Sequence, residues 1–263
     1  MKLTFLENVI KYKNESVRKN KRTEPFSYLK SRIAILPKPK KLGDAILKGS
    51  GIIAEIKRRS PTKEFPNVIN CIALAQEYEK SGASAISVLT DDRYFGGSLA
   101  DLQQVKACIN IPVLRKDFII DEYQIYQSRA YGADAVLLIA AILPDKKLIK
   151  LWNIAAKLGM AALVEVHNKV ELDAAVGFLW HNPDSIIGIN NRNLATLKVD
   201  LNTASRLLTF IPLSVIKIIE SGMKNRKQMN RLIREGANGF LIGGTLLESS
   251  SPGKKLRELI YGK

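Results

Sequence analysis

Eight short apolar runs, each about the length of one buried strand, recur from Ile52 onward, and they limit the possible folds more than any other feature of the chain. They are Ile52 to Ile56, Ala85 to Leu89, Pro112 to Leu114, Ala135 to Ile139, Ala161 to Val166, Ser185 to Ile189, Val215 to Ile219 and Gly239 to Ile242, with starts 23 to 33 residues apart. That spacing holds one strand and one helix. The runs are apolar throughout rather than alternating, as parallel strands covered on both faces must be. Glycines in SGASAISVL, YGADAVLLI and EGANGFLIG stand where each preceding helix should stop in a left-handed cap. Eight βα units with no GxGxxG after the first run predict a closed (β/α)8 barrel, an α/β fold, rather than an open doubly wound sheet. At 263 residues and 46% hydrophobic content, the chain suits a single barrel domain spanning residues 1–263.

Residues 1–50 form an N-terminal extension within that domain. Phe5, Leu6, Val9 and Ile10 share one face, which predicts an amphipathic helix from Leu3 to about Lys21. Pro25, Pro37 and Pro39 predict a connector, and a second short helix is expected from Leu42 to Lys48, ending at Gly49 and Gly51. Charge concentrates in the same region. Residues 1–63 hold 17 Lys and Arg against 5 Asp and Glu, a surplus of 12 within a chain total of +16. The basic clusters KNKR and KPKK are short and lack the interleaved aromatics that stack on bases, so a solvated surface is expected and nucleic acid is not. Cys71 and Cys108 are too few for a disulfide framework and lack metal-site spacing, which points to a reducing cytoplasm. No apolar run reaches the roughly 18 residues of a membrane span, and no signal peptide is evident at the N-terminus.

Barrel chemistry belongs at the carboxyl ends of the strands. Those positions carry Glu55 and Lys57 after the first run, Lys116 after the third, Glu165 after the fifth, Asn190 after the sixth and Glu220 after the seventh. Charges facing a barrel mouth from five strands cost desolvation that a purely structural role would not justify. The third run is the sharpest case, because in IPVLRKDF the apolar stretch passes directly into Arg115, Lys116 and Asp117. Lys116 is the first catalytic candidate, and a cationic neighbour such as Arg115 or Lys57 is expected to lower its pKa. Ser221 and Gly222 after the seventh run, and Gly243, Gly244 and Thr245 after the eighth, offer backbone N–H groups for a phosphate, with the Ser60 hydroxyl as a further donor. His167 and His181 look like surface or loop residues, and no metal constellation is available. The residues alone leave open a lyase or an isomerase acting on a small phosphorylated substrate.

At these positions the chain resembles indole-3-glycerol-phosphate synthases. The resemblance runs through IIAEIKRRSPT, LTDDRYFGGSLADL, LRKDFIIDEYQIYQSRAYGADAVLLIAAIL, LVEVH, GINNRNLATLKVDL, IESGM and FLIGGTLL, in that order and over nearly the whole length. It implies a TIM barrel with the helical extension lying over the mouth. It also implies a decarboxylating, dehydrating ring closure of 1-(2-carboxyphenylamino)-1-deoxyribulose 5-phosphate in tryptophan biosynthesis, with no cofactor or metal. By resemblance, Lys116 matches the general acid, Lys57 the second lysine near the substrate carboxylate, and Glu165 the carboxylate that takes part in dehydration. Glu55, Asn190 and Glu220 match residues that hold hydroxyls and lysines in place. Ser60, Arg192, Ser221, Gly222, Gly243 and Gly244 match the phosphate and rim positions, and Phe118 and Leu194 match the apolar wall for the anthranilate ring. A monomer or weak homo-oligomer is expected. Thr62 and Glu64 stand where the family usually has Ser and Gly, Met223 replaces a commoner Ile, and Gly244 stands where Ser is frequent. A related barrel, phosphoribosylanthranilate isomerase, would need a cysteine base after the first strand, and none is present.

Overall fold

The computed structural model describes residues 4–61, 63–64, 70–180, 182, 185–194 and 196–262. Each of the eight apolar runs is a strand: β1 (Ile52–Ile56), β2 (Ala85–Leu89), β3 (Val113–Lys116), β4 (Ala135–Ile139), β5 (Ala161–Val166), β6 (Ile186–Asn190), β7 (Ile216–Glu220) and β8 (Gly239–Ile242). They form a closed, all-parallel barrel in chain order, sealed where β1 pairs with β8 through Ile52 opposite Phe240 and Ala54 opposite Ile242. Gly82, Gly132 and Gly236 end their helices at positive φ, as predicted. Three strands run one or two residues further toward their carboxyl ends than their apolar runs. The polar ends belong to the ladder: Lys116 lies opposite Leu89, and Glu220 pairs with both Asn190 and Leu241.

Strand parity decides what faces the interior. Ile53, Leu114, Leu163, Ile186, Ile218 and Leu241 share one apolar cluster inside the barrel, whereas Ile52, Ala54, Val113, Val164 and Ile187 pack outward under the helices. Side chains alternate along a strand, so counting by two from each interior residue brings Glu55, Lys116, Glu165, Asn190 and Glu220 to the mouth. Arg115 falls on the opposite parity. It is 3% exposed and donates to Thr90, Gln124, Ser128 and Asp117. The charges of β3 therefore continue the strand rather than end it.

The extension supplies three helices. The first, α1 (Phe5–Thr23), opens with a capping box between Thr4 and Glu7 and buries Val9, Lys13 and Val17 at intervals of four. Lys13 is the anomaly on that face: only 4% exposed, with its ammonium 2.7 Å from Asp91 and 2.7 Å from Asp117. The predicted connector contains a helix, α2 (Phe26–Ala34). Pro25 occupies the N-cap at φ −66°, so its fixed dihedral starts a helix instead of breaking one. Phe26 meets Tyr123 and Tyr126 edge-on, with centroids 5.4 Å away in both cases. The third, α3 (Leu42–Lys48), matches its predicted bounds and adds Leu42 and Ile46 to the interior cluster beside the amino ends of the strands.

Among the described residues no helix is long and apolar enough to cross a membrane. Part of the basic surplus is internal, because Lys13 and Lys21 reach across to carboxylates of the barrel.

Candidate active site

A cavity of about 590 Å³ opens at the carboxyl ends of the strands, and every residue proposed from sequence as catalytic or substrate-binding lines it. Glu55, Lys57, Lys116, Glu165, Asn190 and Glu220 gather on one side, Phe118 and Leu194 form part of an apolar wall, and Ser60, Arg192, Ser221, Gly222, Gly243 and Gly244 lie around the rim.

Lys116 holds the centre. Its Nζ lies 2.6 Å from Glu220 Oε2 and 3.4 Å from Glu165 Oε2, while Lys57 Nζ pairs with Glu55 Oε1 at 2.5 Å. The expectation that a nearby cation lowers the Lys116 pKa is overturned. Burial does push it down, but Glu220, Glu165 and Glu55 outweigh burial and raise it above the ordinary lysine value. Arg115 cannot contribute as supposed, since β3 turns it away from the mouth. The carboxylates part company in the same field. Burial pushes each of them up, yet Lys116, His167 and Asn190 hold Glu165 well below the usual range, and Lys57 with Lys116 holds Glu55 down. Burial, reinforced by Glu165 and Glu55 against the pull of Lys116, pushes Glu220 up to about 7. Asn190 hydrogen-bonds Glu165 and accepts the Arg192 N–H through Oδ1 at 2.9 Å, which ties the end of β6 to the following loop.

Two glycines make room for this cluster. A Cβ at Gly188, in the middle of β6, would run into the Glu220 carboxylate, and one at Gly243 would strike the carboxylate of Glu55. Gly188 was not among the sequence candidates. An interior glycine in an otherwise apolar strand is its only signal.

The rim differs from place to place. Gly243 caps the short helix Gly244–Leu247, whose first amides lack helical acceptors. Ser221 and Gly222, by contrast, form a left-handed pair at φ 67° and 88°, held by Asn191 Nδ2 donating to the Ser221 carbonyl at 3.1 Å. Thr245 Oγ1 donates to the Met223 carbonyl at 2.6 Å, joining the loops after β7 and β8. Ser60 lies in a small hairpin in which Arg59–Ser60 pairs with Lys63–Glu64, and its hydroxyl donates to the Lys63 carbonyl. Glu64 is exposed there, and Thr62 lies outside the described residues, as does His181. Phe118 is 6% exposed and lies 6.4 Å from Phe5 of α1 and 6.2 Å from Phe95, centroid to centroid. Phe5 and Phe95, neither of them a sequence candidate, thus extend the apolar wall.

His167 is a correction. It follows β5 as expected, but its side chain is only 8% exposed and stands between Glu165 and Glu171. The signal was present in LVEVH, where Leu163, Glu165 and His167 alternate on the interior parity. Among the described residues no group of His, Cys, Asp and Glu side chains is arranged to hold a metal ion.

A sequence profile of the indole-3-glycerol phosphate synthase family matches residues 6–259. The enzyme of that name from Alkaliphilus metalliredigens is 42% identical over 261 residues, covering 98% of each chain. The chain belongs to the indole-3-glycerol phosphate synthase family. Other relatives bearing the name are those of Saccharopolyspora erythraea, 40% identical over 98% of this chain and 95% of the relative, and Endomicrobium trichonymphae, 45% identical over 80% and 81%. Membership in the indole-3-glycerol phosphate synthase family makes the chain a carboxy-lyase of tryptophan biosynthesis, and the closed barrel agrees with it.

Proposed function

We propose that this cavity closes the indole ring of 1-(2-carboxyphenylamino)-1-deoxyribulose 5-phosphate, with Lys116 as the general acid. The observation that carries the assignment is the position of Lys116 Nζ, central among three buried carboxylates in a cavity whose wall includes Phe118 and Leu194. The ring carbon that bears the carboxylate attacks the ketone carbon, and the ketone oxygen gathers negative charge. Lys116 is held protonated, and its raised pKa is no obstacle because a developing alkoxide is a far stronger base than an amine. Loss of carbon dioxide then restores the aromatic ring. Departure of the hydroxyl as water, with loss of a proton from the adjacent ring CH2, completes the indole.

The remaining roles are those the family resemblance implies, and the shared cavity supports them. Lys57 faces the substrate carboxylate, Glu165 serves dehydration, and Glu55, Asn190 and Glu220 fix the lysines and substrate hydroxyls. Phe118 and Leu194 cover the anthranilate ring. The phosphate sits among Ser60, Arg192, Ser221, Gly222, Gly243 and Gly244, where helix-start amides and a left-handed turn favour an anion. We infer one domain acting in the cytoplasm, alone or as a weak homo-oligomer.

The test is direct. Purified protein mixed with the carboxyphenylamino-deoxyribulose phosphate, without added metal or cofactor, should develop indole fluorescence. A folded protein that gives no product would overturn the reading.

A further inference from the structure

His167 is engaged on both sides of its ring. Nε2 lies 3.1 Å from Glu165 Oε1, close enough for charge pairing though not aligned as a hydrogen bond. Nδ1 lies 3.0 Å from Glu171 Oε2 on the helix Lys169–Leu179, and the same Glu171 oxygen accepts the His167 backbone N–H at 2.8 Å. A neutral imidazole has one N–H and one lone pair, so it would turn a lone pair toward one of these two carboxylates. Only the imidazolium suits both.

The two oxygens of Glu165 are also divided. Oε1 faces His167 and Oε2 faces Lys116. The buried cluster holds three carboxylates, Glu55, Glu165 and Glu220, against two lysines, Lys57 and Lys116. A cationic His167 adds a third positive charge beside this set, with Glu171 as its partner on the far side. Resting on the reaction proposed above, we propose that His167 is a positioning residue: an imidazolium anchored by Glu171 that occupies Glu165 Oε1 and keeps that carboxylate ionised with Oε2 turned to Lys116. His167 itself does not reach the reacting atoms. Its own pKa agrees with the geometry, because burial would lower it and the two carboxylates carry it up to about 10.

The groups around the pair come from four other strand ends and one helix. Glu165 is faced by Lys116 from β3, Asn190 from β6, Glu220 from β7 and Glu55 from β1, and His167 by Glu165 and by Glu171 of the following helix. The carboxylates titrate as a set, so a displacement of the pH profile carries the information and its absolute position does not.

The chain has two histidines, which makes nitrogen NMR of 15N-histidine-labelled protein decisive, with His181→Gln assigning the signals. His167 should keep both ring protons at pH 8, where an ordinary imidazole of pKa near 6.5 is neutral. A neutral tautomer at pH 7.5 would overturn the proposal. This arm needs no substrate, so it stands or falls apart from the proposed reaction. In the second arm, His167→Gln and Glu171→Gln should each move the acid limb of kcat/KM upward by about half a unit or more, with melting temperatures close to wild type. Folded variants whose limb stays in place would show that His167 merely packs. If wild type turned over no substrate while His167 stayed protonated, the reaction would be at fault and not the charge assignment.

Discussion

Lys116 shows how one parity decision fixes a role. Arg115 and Lys116 are adjacent and both cationic, yet one is buried in a hydrogen-bonded network behind the strand and the other reaches the cavity. Lys116→Met should abolish turnover while leaving substrate binding within about tenfold, since the proton matters chiefly in the transition state. Stopped single-turnover assays and a binding titration would check this, and more than a tenth of wild-type rate would remove Lys116 as the essential acid. Gly188→Ala should be costly for the opposite reason. The added methyl meets the Glu220 carboxylate, so a loss of roughly 1–3 kcal/mol in urea denaturation is expected, together with lower kcat as Glu220 shifts away from Lys116. The cavity residues were legible in the sequence because polar side chains at strand ends stand out against apolar runs. His167 was legible only in part: LVEVH puts it on the interior parity, but nothing in the sequence shows that Glu171, four positions on, folds back over it.

At the scale of elements, the eight strands and their glycine stops could be read from spacing alone, whereas the extension could not. Its second helix begins at a proline, and proline in a basic, irregular stretch reads as a break. Its first helix was visible only in its apolar face, and the side chain that locks it down is a lysine. Lys13→Met should cost about 3–5 kcal/mol, because it strands Asp91 and Asp117 in the interior without their shared cation. Urea denaturation would measure this, and a loss below about 1 kcal/mol would mean that the buried pair contributes little. The same contacts set an acid limit. Burial works against the charged form of Asp117, but Lys13, Arg115 and Thr90 hold its carboxyl far below the usual range. A depressed carboxyl adds stability that is fully present above its unfolded pKa near 4 and fades as pH falls toward the folded value. Wild type should therefore hold its Asp117 contribution down to about pH 4 and lose it below, whereas Lys13→Met should show a flatter dependence over that acid window.

Across the whole molecule the charge of +16 meets a substrate carrying a phosphate and a carboxylate. Such a field speeds encounter and is screened by salt over about 10 Å at 0.1 M. Raising ionic strength should lower kcat/KM and leave kcat nearly unchanged; a salt-independent kcat/KM would mean that the basic extension has no part in capture. The sign of the charge was plain in the sequence, but the internal pairing of Lys13 and Lys21 was not, because composition does not say which lysines find carboxylates. The seam between β1 and β8 has a different consequence, and it falls before the molecule exists as a finished object. A ribosome extrudes β1 early, and its last partner some 180 residues later. At roughly 5–20 residues per second, the nascent chain carries an open sheet edge for about ten to forty seconds. The extension is already outside by then, with Leu42 and Ile46 available to cover apolar strand residues while the ring waits to close.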